Sequence, residues 1–97
     1  MSAYVLVDCQ VTDPARYEGY KKLAQEAIAR HGGRYLARGG ATDVLEGAWT
    51  PQRVVVLEFP DMASARRFYD SQDYRAARTA REGAAQMSMV VVEGLPA

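Results

Sequence analysis

Arg53-Val54-Val55-Val56-Leu57-Glu58-Phe59-Pro60-Asp61 is the most strand-like run in the chain, rich in valine and closed by a proline. Pleating sends Val55, Leu57 and Phe59 to one face and Val54, Val56 and Glu58 to the other. Both faces are therefore largely apolar. Pro60-Asp61 stops the strand and supplies an N-cap for a helix that turns Ala65, Phe68 and Tyr69 inward. The pattern then breaks near Ser71, which caps a second segment over 72–84 carrying Tyr74, Ala77 and Ala80.

Upstream, residues 3–11 alternate, with Val5, Val7, Cys9 and Val11 on one face and Tyr4, Leu6, Asp8 and Gln10 on the other. Asp13-Pro14 reads as an N-cap with proline at the first helical position. Tyr17, Tyr20, Ala24, Ala27, Ile28 and His31 follow at helical spacing, and Gly32-Gly33 stops the helix. Arg34 to Arg38 reads as a short strand running into Gly39-Gly40, with Thr42 to Gly47 as its continuation after a bulge or bend. Trp49-Thr50-Pro51 is the turn that leads back to Arg53, and Met87 to Glu93 closes the pattern as a last strand.

The order β-α-β-β-α-β predicts an α+β, ferredoxin-like fold in one domain spanning 1–97. Four antiparallel strands carry both helical segments on one face. The Val5, Val55 and Phe59 set takes the covered face. The other face stays apolar apart from single carboxylates and would form a large exposed patch on a monomer. Two such sheets stacked face to face would bury it.

Composition points the same way. The chain has 97 residues and is 48% hydrophobic, but sixteen of those residues are alanine, and Leu, Ile, Val and Phe together number nineteen. A core this thin is best completed by association. Twelve Lys and Arg against twelve Asp and Glu leave no cationic excess for nucleic acid or an anionic membrane. Cys9 is the sole cysteine, so no intrachain disulfide forms; a cytoplasmic location and a core role for Cys9 are expected. No run approaches the roughly 20 apolar residues of a membrane span, and the first residues lack an export signal. With one histidine, one cysteine and no asparagine, zinc-binding spacings are absent. No serine sits in a Gly-x-Ser-x-Gly elbow, and neither glycine pair matches a nucleotide-binding loop. Neither a metal nor a cofactor is expected.

Several stretches together resemble an uncharacterised bacterial family known as domain of unknown function 1330, of the dimeric α+β barrel superfamily. They are Val11-Thr12-Asp13-Pro14 with Tyr17 and Tyr20, Gly32 to Gly40, Val44-Leu45-Glu46-Gly47 before Trp49, and Pro51 with Arg53. The likeness continues through Glu58-Phe59-Pro60, Phe68-Tyr69, Ser71, Tyr74 and Val92-Glu93-Gly94. It implies a homodimer whose two sheets pair into a barrel. Relatives with this barrel include cofactor-free monooxygenases, isomerases and haem peroxidases, and fold alone does not choose among them. His31, at a helix end beside two glycines, is poorly placed as a haem ligand.

Individual residues each carry two readings. His31 is either a dipole-stabilised helix C-terminal residue or a general base in a cleft. Asp8 and Glu58, on the sheet face that a dimer would cover, are either closed off by Arg34, Arg38 or Arg53, or act as acid and base in an enclosed cavity. Arg38, Trp49 and Arg53 form the densest mixture of guanidinium and aromatic surface, and with Tyr69 and Tyr20 they are the candidate ligand-binding set. The expected function is a homodimer holding a small aromatic or carboxylate ligand in a cleft, with cofactor-free monooxygenase or isomerase chemistry as its enzymatic form. The alternative is a non-catalytic dimerisation or interaction module with a filled barrel interior.

Overall fold

A computed structural model describes residues 1–96 of the chain. The elements run β1 (Ala3–Val11), α1 (Pro14–Arg30), β2 (Arg34–Arg38), β3 (Val54–Phe59), α2 (Met62–Asp70), α3 (Gln72–Ala80) and β4 (Ala85–Glu93). The strands form one antiparallel sheet in the order β2-β3-β1-β4, the arrangement of a ferredoxin-like fold. The Cα atoms span 38 × 37 × 16 Å, the proportions of one sheet under one layer of helices.

Local chemistry places the ends of the elements. The Asp13 carboxylate accepts from the Arg16 N–H at 3.2 Å and starts α1 with Pro14 in its first turn. Gly32 then takes φ +78°, and the Gly33 N–H returns to the Ile28 carbonyl at 2.9 Å, ending the helix. Ser71 does two jobs at the helix break. Its hydroxyl donates to the Phe68 carbonyl at 2.7 Å and accepts from the Tyr74 N–H at 3.1 Å, so one side chain closes α2 and opens α3.

The helix-facing side of the sheet buries Val5, Val7, Cys9, Val55, Leu57 and Phe59, as the alternation predicts. Phe59, Phe68 and Tyr74 are the largest wholly buried side chains, with ring centroids 5.0 Å and 4.4 Å apart along the series. Gly33 backs onto this stack. A Cβ there would stand 2.6 Å from a Phe59 ring carbon and 2.9 Å from Ile28 Cγ2, in the most crowded part of the core. Gly33→Ala is expected to cost roughly 1–3 kcal/mol through overpacking, read as a lower urea midpoint at unchanged slope.

Three expectations are corrected. Thr42 to Gly47 form no strand: the Gly39 N–H donates to the Val54 carbonyl, closing the last rung of β2 with β3, and β3 is paired on its other edge by β1. Residues 40–50 pair with no strand and run as an exposed, irregular arm, and the chain rejoins the sheet at Arg53, whose carbonyl accepts from the Cys9 N–H at 2.9 Å. The last helix stops at Ala80, four residues early, because Arg81 caps it and Gly83 at φ +74° turns the chain into β4. Tyr69, expected inward, keeps 39% of its surface exposed at the end of α2.

The face of the sheet opposite the helices is uncovered. Leu6, Val90 and Val92 are exposed there, beside the partly covered Val54 and Val56. No described helix is long and apolar enough to cross a membrane.

Candidate functional site

The candidate residues separate into distinct places. Glu58 lies on the uncovered face, where both Arg34 Nε and one terminal guanidinium nitrogen reach its Oε1 at 2.7 Å. This contact holds the Glu58 carboxyl below its usual pKa. At the cap of α2, the Ser64 backbone N–H does the same for Asp61, accepted at 2.7 Å. Both folded-state values lie below the unfolded ones, so the stability they contribute is complete above the ordinary carboxylate range. It is lost as pH falls through the folded values. A stability profile should therefore fall between roughly pH 5 and pH 2, with a shallower fall in Glu58→Gln. An unchanged slope in that variant would show that Arg34 does not hold Glu58 in solution.

Asp8, on the same face, accepts from the Trp49 indole N–H at 2.9 Å. An aromatic side chain, not the expected arginine, closes it. Trp49 itself is 64% exposed and, with Leu6, Val54 and Val90, borders a shallow concavity of ≈ 510 Å³ on the open sheet.

His31 sits on the helix side. It is the C-cap of α1 and packs edge-on against Phe68, with centroids 6.4 Å apart. The sheet separates it from Glu58, so the two do not share a cavity. Arg38 donates to Gln25 Oε1 and covers the Tyr35 ring at 4.4 Å, while Arg53 lies 5.9 Å over Tyr17. With Tyr20 they border an internal void of only ≈ 30 Å³. That is room for about one or two waters, not for an organic ligand.

Open space of ligand size lies elsewhere on the helix side, between α2 and β4. This cleft is ≈ 430 Å³. Met87, Met89 and Val91 of β4 form one wall, and Phe68 and Tyr69 of α2 form the other. Arg81 enters it from the end of α3, with Arg66 and Asp70 exposed at its mouth. Alternation along β4 puts the two methionines on the helix face, and Arg81, the C-cap of α3, keeps near-helical geometry four residues after the buried Ala77.

Arg81 is a half-buried cation among tyrosines. Its guanidinium lies 5.5 Å over the Tyr20 ring, and the Tyr20 and Tyr74 hydroxyls share a 2.7 Å hydrogen bond. Burial pushes both phenol pKa values up, so the pair stays protonated and offers Arg81 no negative charge. Arg81 Nε is itself buried without a hydrogen-bond partner. Among the described residues no carboxylate lies within 4.0 Å of Arg81.

Of the expected ligand-binding set, then, only Tyr69 lines this cleft. Tyr20 supports it from behind. Arg81, Met87 and Met89 were missed, although a signal existed: Arg81 follows Tyr74 by seven residues and Ala77 by four, which places a charge on the apolar stripe. Among the described residues, no cluster of three His, Cys, Asp or Glu side chains is placed to hold a metal.

Residues 2–95 match the family described as Domain of unknown function (DUF1330). The chain belongs to this family. No curated protein sequence matches it. Among solved structures, the family member described here is similar to RPA0582, a protein of unknown function from Rhodopseudomonas palustris. That match has 18% identity and a TM-score of 0.77, covering 99% of this chain and 84% of that one. It is also similar to SnoaB, a cofactor-independent oxygenase from Streptomyces nogalater, at 14% identity and TM-score 0.65, over 99% and 95% of the two chains. A dimeric ferredoxin-like protein of unknown function from Thermobifida fusca matches at 18% identity and TM-score 0.65, over 96% and 91%. At these identities the likeness establishes the ferredoxin-like fold.

Proposed function

We propose that the chain works as a homodimer, joined through the uncovered sheet faces, in which each protomer binds a small organic molecule in the cleft between α2 and β4. The observation that carries this reading is Arg81, a partly buried guanidinium with no carboxylate partner among the described residues, in an apolar recess of ≈ 430 Å³. Recesses of roughly 300–1,000 Å³ with few polar anchors are the usual form of small-molecule sites. The exposed Leu6, Val90 and Val92 support the dimer, as does the dimeric state of the Thermobifida fusca neighbour. A purely structural interaction module would fill its interior. The space between α1 and the sheet is filled in that way, whereas the cleft at β4 is not.

The fold shared with a cofactor-independent oxygenase supports a cofactor-free enzyme as the catalytic form of this reading. Methyl-labelled methionine spectra test the binding itself. Addition of flat organic fragments is expected to shift the Met87 and Met89 signals and leave Met1 unchanged. A fragment panel that moves neither signal would overturn the reading. Oxygen uptake with hydroxyaromatic fragments then separates an enzyme from a carrier.

A further inference from the structure

The cleft carries its own charge pattern. The half-buried Arg81 and the exposed Arg66 and Asp70 line it, so two cations face one anion. Neither Arg81 nor Asp70 has an ion-pair partner among the described residues. The net balance is one positive charge. A guanidinium fork matches a carboxylate through two parallel N–H donors, and Arg81, which lines the cleft, has no carboxylate of the protein within ion-pair distance among the described residues.

The walls define the body of such a ligand. Met87 and Met89 oppose Phe68 and Tyr69 across the recess, and thioethers pack favourably against aromatic rings. A flat ring system fits between them. At the mouth, Asp70 accepts hydrogen bonds only, so it favours a hydroxyl on the ligand and repels a second carboxylate.

We infer that the cleft selects a hydroxyaromatic monocarboxylate, its carboxylate on Arg81, its ring between Met87, Met89 and Phe68, and its hydroxyl toward Asp70. This rests on the ligand-binding reading above and adds the charge and polarity of the ligand to it. Isothermal titration with a hydroxynaphthoate, its neutral amide and a naphthalene dicarboxylate provides the test. The hydroxy acid is expected to bind at least about tenfold more tightly than either analogue.

Arg81→Met should remove the preference for acid over amide. Asp70→Asn should raise affinity for the dicarboxylate. Arg81→Lys keeps the charge without the fork and gives an intermediate preference, so it carries the test if the methionine variant does not fold. Equal binding of acid and amide to the unaltered protein would overturn the charge assignment and leave the ligand-binding reading standing. Failure of all three compounds to bind would overturn both.

Discussion

Replacing Val90 and Val92 together by glutamate is expected to convert the proposed dimer to a monomer. Light scattering would then read about the 10.7 kDa chain mass in place of twice that value. The two valines lie on the uncovered face of β4, 60% and 47% exposed, opposite Leu6 and Tyr4 in the β1 register. Neither is needed to close the helix-side core. A stable protein interface buries roughly 800 Å² on each partner, and this sheet face is the broad apolar surface available for it. Glutamates facing a second copy would lose water without gaining a counter-charge, a penalty of several kcal/mol per ion. A two-fold axis also sets like charges near one another. Circular dichroism shows whether the chain remains folded. A double variant that still scatters at the dimer mass would place the interface elsewhere.

Phe68→Ala is expected to destabilise the protein by about 3–5 kcal/mol, against a total near 5–15 kcal/mol for a domain of this kind. Phe68 is wholly buried at the centre of an aromatic stack, between Phe59 and Tyr74 and beneath His31. Its ring also borders both the ≈ 430 Å³ cleft and the ≈ 30 Å³ void. Truncation would join them into one enlarged recess and strip the stack of its middle member. Phe68→Leu retains most of the volume and is expected to cost less than half as much. Chemical denaturation of the two variants reads the difference. Equal midpoints for Phe68→Leu and Phe68→Ala would show that the volume of the side chain is not what stabilises the stack.

Features set by neighbouring residues could be read from the sequence. The alternation of β1 and β3, the Asp13-Pro14 start of α1, the Gly32-Gly33 stop and the double role of Ser71 each depend on side chains within a few positions of one another. Thr42 to Gly47 failed for the opposite reason. A strand needs another stretch of chain alongside it to share its N–H and carbonyl groups, and none pairs with these residues. Distance in sequence also hid the Trp49 to Asp8 bond, which joins residues 41 positions apart. The cleft was obscured by a smaller error. Arg81 was passed over as one more helical arginine, although its near-helical geometry at the C-cap keeps it on the stripe of Tyr74 and Ala77, which borders Met87 and Met89. Candidate residues chosen for their chemistry alone were spread over both faces of the sheet, because residue type carries no information about which face a side chain occupies.

The sheet order has a kinetic consequence. β1 occupies an interior position, but its neighbours β3 and β4 come much later in the chain, and Ala3 finds its rung opposite Glu93. At roughly 5–20 residues per second, the ribosome leaves β1 without its full set of partners for several seconds. During that interval its valines and Leu6 are apolar on both faces and unpaired on both edges. The first strand to be made is thus among the last to be completed. Folding must await nearly the whole chain, with long-range closure the slow step.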